Sequence, residues 1–149
     1  MQIREKMCKR IISIDVRKSS FEAALKMREY DIGFLPVVEE NKVIGVLTDR
    51  DLVIRGMANH MDSNLKNVMS KKLITIEFDK DLTDSLRIMK EKKIKRLLIN
   101  DEKKIVGILS LSDILDSVKE EEIIKTISSI YEITRNEDIR DSEVDEFYL

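Results

Sequence analysis

Short apolar runs separated by polar segments are the main pattern in the first sixty residues. Residues 11–14, Ile-Ile-Ser-Ile, have the length and composition of a strand that is buried on both faces. Two further runs, 35–38 and 43–47, flank the polar segment 39–42 and predict a β-hairpin. Pro36 cannot donate a hydrogen bond within a sheet, so it is predicted at a strand start or on a sheet edge.

Helical patterns fill the segments around these strands. Residues 2–8 predict a short helical lead-in, and a later helix is predicted from about Asp49 to Met57. Between the first strand and the hairpin, Ser19 is followed three residues later by Glu22, which is the pattern of a capping box. The helix that begins there is predicted to bury Phe21, Ala24, Leu25 and Met27. The order is therefore strand, helix, strand, strand, helix.

The second part of the chain repeats the first at a constant offset of 62 residues. Gly45 corresponds to Gly107 and Asp51 to Asp113, and the correspondence runs without a gap. Strands are predicted at 97–100 and 105–110, with a helix from about 112. The preceding helix has Asp81 as its cap and an apolar face of Leu82, Leu86 and Met89. The fold class is therefore α/β (α+β), with two such units packed as a closed, pseudo-twofold pair.

The repeat divides the chain into four segments. Repeat 1 spans 1–57, a polar linker spans 58–64, and repeat 2 spans 65–119. Residues 120–149 form a C-terminal extension that starts as a helix and ends in a mostly acidic tail from Arg135 to Leu149. This helix is predicted to carry an apolar stripe for intramolecular packing or for a dimer contact, formed by Ile123, Ile124, Ile127, Ile130 and Tyr131.

Composition narrows the functional classes. A chain of 149 residues with 42% hydrophobic residues fills one core, and units of about sixty residues are marginal alone. A net charge of -2 argues against nucleic acid as a partner, and no apolar run reaches the roughly twenty residues of a membrane span. We therefore expect a cytoplasmic protein. One cysteine, Cys8, and one isolated histidine, His60, favour neither a metal site nor catalysis.

A motif with chemical potential closes each hairpin. Gly45 opens an apolar segment that leads to Thr48 and, three residues later, to Asp51; Ser110 and Asp113 take the same places in repeat 2. An ionised carboxylate at a helix start can accept hydrogen bonds from both hydroxyls of a ribose. The same pattern is also that of a helix capping box, which needs no ligand. The two interpretations do not exclude each other.

Two tandem units that each end in Gly-apolar-apolar-[Ser/Thr]-x-x-Asp resemble a pair of cystathionine beta-synthase (CBS) domains, the arrangement called a Bateman module. The resemblance covers residues 1 to about 119 and is closest at 35–38 and 45–52. It implies a regulatory module that binds an adenine nucleotide (AMP, ADP or ATP) or S-adenosylmethionine in clefts between the two domains, with no other cofactor. It also implies a homodimer.

The resemblance further implies which residues line each site. Beside Thr48, Asp51, Ser110 and Asp113, it places Ser13 and Thr75 near the ribose and base. The adenine pocket would be lined by backbone groups of Ile12 and Ile74, by Gly33 and Phe34, and by Lys95 and Arg96. The copies differ, because Arg50 beside Asp51 could hold a phosphate, where repeat 2 has Ser112. Arg96 and Lys95 are the cations available to repeat 2, and repeat 1 is the stronger candidate.

Three hypotheses follow. The first is a sensor whose adenosyl ligand shifts the arrangement of the two repeats and alters a partner. The second is a structural or interaction module that holds no ligand and uses the stripe of the C-terminal helix to bind an unknown protein target. An enzyme ranks third, because the sequence has no nucleophile with a base and no glycine-rich phosphate loop.

Overall fold

The computed structural model of the protein describes residues 1–60 and 62–137. Each repeat contributes a three-stranded sheet with helices, and a helix follows the second repeat, so the predicted mixed α/β class is confirmed. The predicted acidic tail lies outside the described residues from position 138 onward.

Both repeats contain the same elements in the same order. Repeat 1 consists of a 3-10 helix Ile3–Glu5, β1 Ile14–Asp15, α1 Ser20–Tyr30, β2 Phe34–Glu39, β3 Lys42–Thr48 and α2 Asp49–Asp51, which continues as a π-helix Leu52–Met57. Repeat 2 consists of α3 Leu65–Val68, β4 Thr75–Glu77, α4 Leu82–Lys92, β5 Arg96–Asp101, β6 Lys104–Ser110 and a 3-10 helix Leu111–Ile114. The C-terminal helix α5 spans Glu120–Glu137. Among the described residues, no helix has the length and apolar character needed to cross a membrane.

The predicted hairpins are confirmed, and their turns match in detail. β2 and β3 are antiparallel, and the two residues between them, Glu40 and Asn41, have φ values of 48° and 62°. In repeat 2 the turn residues Glu102 and Lys103 have φ values of 45° and 71°. Positive φ at both central positions is the conformation whose twist fits a two-residue hairpin. The offset of 62 is therefore a structural repeat as well as a sequence repeat.

The first strand is shorter than predicted and begins later. Residues 11–13 are not in a strand, and β1 pairs with β2 only at Ile14 opposite Val37 and at the next position. Pro36 precedes Val37 within the central strand, so its prediction at a strand start or edge was wrong. Because proline lacks an N–H, a ladder with β1 starts only after it. Leu98 takes that place in repeat 2, and β4 begins at Thr75, one residue earlier in the repeat.

Helix α1 has the predicted cap but a different buried face. The Ser19 and Glu22 side chains bond each other's backbone N–H groups, which confirms the capping box. Ala23 and Met27 are buried, whereas Phe21 is 70% exposed and Ala24 is exposed. Two positions on a helix differ by roughly 200°, so a face centred on Ala23 directs Phe21 away from the core. In α4, the predicted Leu82, Leu86 and Met89 are buried.

Contacts divide the described chain into two compact units that do not coincide with the repeats. One unit joins Met1–Met7 to Ile76–Ile99 and to the described residues from Ile108 onward. The other joins Cys8–Thr75 to Asn100–Gly107. Each unit therefore contains sequence from both repeats.

The lead-in segments account for most of this exchange. Ile3 donates its N–H to the Lys80 carbonyl at 2.9 Å, just before α4 of repeat 2. In the other unit, Ser20 at the start of α1 donates to the carbonyl of Ser63 at 3.0 Å. Ile3 and its counterpart Leu65 are both 0% exposed. Each repeat's helix is thus packed against a lead-in that the sequence supplies from the other repeat.

Gly45, which opens the predicted motif, permits a close backbone approach. A Cβ at this position would lie 2.9 Å from the carbonyl oxygen of Ser70 and 2.5 Å from Sδ of Met69. The neighbouring Val46 exchanges two backbone hydrogen bonds with Ser70, at 2.9 and 2.8 Å. The glycine therefore allows the segment before β4 to pair with β3.

Helix α5 divides the predicted apolar stripe between two faces. Thr126 and Ile130 are buried, Ile123 is half-buried, and Ser129 donates to the Lys90 carbonyl of α4 at 3.1 Å. The remaining stripe residues are exposed: Ile124 by 55%, Ile127 by 38% and Tyr131 by 48%. One side of the stripe packs within its unit, and the other forms an exposed ridge of Ile124, Ile127 and Tyr131.

The Asp15 carboxylate predicts a specific dependence on pH. Arg17 donates side-chain and backbone hydrogen bonds to it, and these lower the pKa of Asp15 from 3.8 to about 2. A lowered pKa in the folded state stabilises the fold at pH values above 3.8, and the contribution is lost as the pH falls towards 2. Arg17→Gln is expected to return the pKa towards 3.8, as measured by NMR titration of the Asp15 carboxyl carbon. An unchanged titration in Arg17→Gln would contradict this assignment.

Candidate functional site

One end of the first sheet brings several predicted residues together. Because β1 is parallel to β2 and antiparallel to β3, the start of β1, the start of β2 and the end of β3 lie at the same end of the sheet. Phe34 pairs with Thr48, and Asp49 donates its N–H to the Gly33 carbonyl at 3.1 Å. Ser13 directly precedes β1 at this end. Ile12 is half-buried and packs on the adjacent core.

The first carboxylate is held by its own helix start. The Thr48 N–H donates to Oδ2 of Asp51 at 3.0 Å, and the Asp51 N–H donates to Oγ1 of Thr48 at 3.1 Å. Oδ1 of Asp51 lies 3.8 Å from Nε of Arg55, and the side chain is 18% exposed. The capping-box interpretation is therefore confirmed for this motif. A carboxylate has about four acceptor positions on its two oxygens, so the cap leaves acceptor capacity for a ligand.

The second motif has the same geometry. The Ser110 N–H donates to Oδ2 of Asp113 at 2.7 Å, and the pair forms a capping box. Among the described residues, no hydrogen bond or ion pair occupies Oδ1 of Asp113. The Leu111 N–H donates to the Lys95 carbonyl at 2.8 Å, which repeats the bond between Asp49 and Gly33. Both motifs thus present a half-buried carboxylate at the end of a strand.

Charge distinguishes the two motifs. In repeat 1, a Cβ at Gly33 would lie 2.9 Å from Oδ2 of Asp49, so a second carboxylate lies against the start of β2. Arg50 is exposed beside it, and its guanidinium makes no contact with other groups in the described part of the chain. In repeat 2 the matching positions carry Lys95 for Gly33 and Leu111 for Asp49, followed by exposed Arg96 and Ser112. Repeat 2 therefore has the more positive surroundings.

The remaining predicted residues are divided between the two units. Arg96, Ser110 and Asp113 belong to one unit, whereas Ile74 and Thr75 belong to the other. Thr75 opens β4 and is exposed, and Ile74 is half-buried. The described contacts thus bring together the residues after β6 and those at the start of β5.

Sequence reasoning missed three polar neighbours of these motifs. Arg55 lies four residues after Asp51, which is a spacing that predicts a contact on a helix. Asp49 gave no signal, because its proximity to Gly33 depends on the pairing of β2 with β3. Tyr131 gave none either, because its contact with Lys95 spans 36 residues.

A cavity of about 370 Å³ lies away from both motifs. Leu82 and Leu86 of α4 line it together with Val118, Lys119 and Glu122 before and within α5. None of the predicted binding residues lines this cavity. Within the described residues, no three His, Cys, Asp or Glu side chains are grouped as a metal site would require.

The CBS domain family matches the chain twice, at residues 2–57 and 65–120. The chain therefore belongs to the CBS domain family and carries a tandem CBS pair. An uncharacterised protein of Bacillus subtilis, YlbB, is 35% identical over 98 residues, which are 63% of this chain and 66% of that protein. The CBS domain-containing protein YhcV of Bacillus subtilis is 32% identical over 114 residues, covering 75% of this chain and 81% of that protein. The chain thus spans slightly less than two thirds of YlbB.

Solved structures share the fold. An uncharacterised conserved protein from Pyrococcus horikoshii is 34% identical with a TM-score of 0.72, covering 78% of this chain and 90% of that one. The CBS domain pair of MJ0100, solved with 5-methylthioadenosine and S-adenosylmethionine, has a TM-score of 0.72 at 24% identity, covering 78% and 94%. CBSX2, solved with AMP, has a TM-score of 0.70 at 21% identity, also covering 78% and 94%. The last two likenesses concern the fold alone.

Proposed function

We propose that the protein is a regulatory sensor that binds an adenine nucleotide or S-adenosylmethionine through its two carboxylate motifs. The observation that carries the proposal is the shared geometry of Asp51 and Asp113. Each carboxylate caps a helix start with Oδ2 and keeps acceptor capacity at the end of a sheet. Two vicinal ribose hydroxyls are donors that such a group binds well. The adenosyl ligands bound by MJ0100 and CBSX2 support this choice of ligand class.

The other predicted residues surround the ribose in this proposal. Thr48 and Ser110 add hydroxyls at the helix starts, and Ser13 and Thr75 contact the ribose and base. Backbone groups of Ile12 and Ile74, with Phe34, line the adenine. Arg50 is the phosphate ligand of repeat 1, because its exposed guanidinium can bind an anion bidentately. Arg96 serves repeat 2, and repeat 1 is the preferred site.

Ligand binding tests this proposal directly. AMP, ADP, ATP and S-adenosylmethionine are each added at millimolar concentration, and the unfolding midpoint is measured, followed by calorimetry of any ligand that raises it. A ligand present at 100 times its Kd stabilises the fold by about 2.7 kcal/mol. Guanosine and uridine nucleotides are the controls for base recognition. No heat and no thermal shift with any of the four adenosyl ligands would rule out the sensor.

The sensor is further proposed to be a cytoplasmic, non-catalytic homodimer. The π-helix after the first motif exposes a group of large apolar side chains, and the equivalent position in repeat 2 is also apolar and exposed. These residues are Val53, Ile54, Met57 and Leu115. Contiguous apolar surface of this kind is typical of a protein interface. Sedimentation analysis tests the dimer.

A second candidate is a ligand-free interaction module that associates through α5. The observation that favours it is the exposed ridge of Ile124, Ile127 and Tyr131 on a helix of 18 residues. Apolar residues at spacings of three and four are the pattern by which one helix packs on another.

If α5 forms such an interface, Ile127→Glu is expected to weaken self-association by at least about tenfold, because it introduces an unpaired charge into the contact. Sedimentation equilibrium measures the effect. Ser128→Glu is the matched control, since it adds the same charge at the next, exposed position of the helix. Equal association of both variants and the wild type would eliminate α5 as the interface.

A further inference from the structure

Lys95 connects the second carboxylate motif to the C-terminal helix. Its backbone carbonyl accepts the N–H of Leu111, the residue that directly follows Ser110 of the motif. Its ammonium donates to the hydroxyl of Tyr131 on α5 at 2.9 Å and lies 5.0 Å from the centre of the same ring. Lys95 therefore contacts the motif with its backbone and α5 with its side chain.

The packing of α5 fixes the position of Tyr131. One residue earlier, Ile130 is 8% exposed, and Ser129 donates to the Lys90 carbonyl at 3.1 Å. Tyr131 itself is 48% exposed, so its ring lies over Lys95 at the surface. An ammonium above an aromatic ring is stabilised, and the hydroxyl gives it a defined direction. The Lys95 side chain, which would otherwise be free to rotate, is thus restricted by α5.

Repeat 1 has no equivalent of this arrangement. Gly33 takes the place of Lys95, and the carboxylate of Asp49 lies against it. The sequence repeat therefore does not explain why repeat 2 has a lysine here. The difference between the repeats lies where the geometry of α5 differs too, since only repeat 2 is followed by that helix within the described residues.

We propose that Tyr131 is a positioning residue of the second adenosyl site, which holds the Lys95 ammonium for a ligand phosphate and so couples α5 to occupancy of that site. The proposal rests on the proposed sensor function. An ammonium has three N–H donors, so Lys95 can keep its bond to Tyr131 and donate the others to a phosphate. Phosphate binding and α5 docking then stabilise each other, because binding linkage is reciprocal.

The test compares ADP with adenosine, which share the base and ribose but differ in charge. Tyr131→Phe keeps the ring and removes the hydroxyl, and it is expected to weaken ADP about three- to tenfold at the second site. Adenosine affinity should stay unchanged. Calorimetry in an Asp51→Asn background isolates the second site. Tyr30→Phe is the matched control, because Tyr30 is an exposed tyrosine with Arg10 over its ring at 6.0 Å in repeat 1.

Hydrogen exchange gives the second readout. ADP is expected to raise the protection of the α5 amides in the wild type, and much less in Tyr131→Phe and in Lys95→Gln, whereas Lys95→Arg should retain the effect. An unchanged ratio of ADP to adenosine affinity in Tyr131→Phe overturns the coupling but leaves the sensor intact. Reduced α5 protection on adding ADP also overturns it. If neither ligand binds the wild-type protein, the sensor and the coupling both fail.

Discussion

Replacing either motif carboxylate with its amide is expected to weaken adenosyl binding at that repeat about tenfold to a hundredfold, since a hydrogen bond to a charged group contributes about 1.5 to 3 kcal/mol. Asp51→Asn and Asp113→Asn are more informative than alanine variants. An asparagine side chain keeps an oxygen that accepts the cap N–H of Thr48 or Ser110. The free energy of unfolding should therefore fall by less than about 1 kcal/mol, mainly through loss of the favourable charge at the helix start. Calorimetry and chemical denaturation measure the two effects separately.

The chain offers a matched control for the capping role. Glu22 forms a third capping box, with Ser19, at the start of α1, away from both motifs. Glu22→Gln is expected to change stability as much as the motif variants do and to leave ligand affinity unaltered. If all three variants bind ligand like the wild type, the carboxylates serve only as caps, and the interaction module becomes the better description.

Ile3→Ala is expected to destabilise the second repeat more than the first, although Ile3 lies at the beginning of the chain. Ile3 is 0% exposed, and its backbone is bonded to Lys80 in front of α4. Truncation of a buried isoleucine to alanine costs about 2 to 5 kcal/mol. Hydrogen exchange should show the loss of protection in α4 and not in α1.

Leu65→Ala is the reciprocal variant, because Leu65 corresponds to Ile3 and is equally buried. It is expected to reduce protection in α1, whose first residue Ser20 is bonded to Ser63. Loss of protection in the same helix for both variants would contradict the exchange of lead-in segments.

Local sequence signals predicted the features that depend on neighbouring residues. The hairpins, the α1 capping box and the buried face of α4 were all correct, because turns, caps and helical faces involve residues within a few positions of each other. The two carboxylate motifs were located for the same reason. Their double character, as cap and as potential ligand site, was also legible from spacing alone.

Features that depend on distant contacts were not predictable in this way. Phe21 has the hydrophobicity of a core residue, yet the face of α1 that is buried is set by the sheet beneath it. The late start of β1 depends on Pro36 in a different strand. The exchange of lead-in segments and the Lys95–Tyr131 contact likewise depend on packing that no periodic pattern records.

The placement of Ile3 also bears on how the protein emerges from the ribosome. Its bonding partner Lys80 follows 77 positions later, a delay of roughly 4 to 15 s at typical rates of translation. During that interval the apolar side chain of Ile3 has no native contact to make. Repeat 1 therefore cannot mature as an independent N-terminal domain, and productive folding must wait until much of repeat 2 has been synthesised.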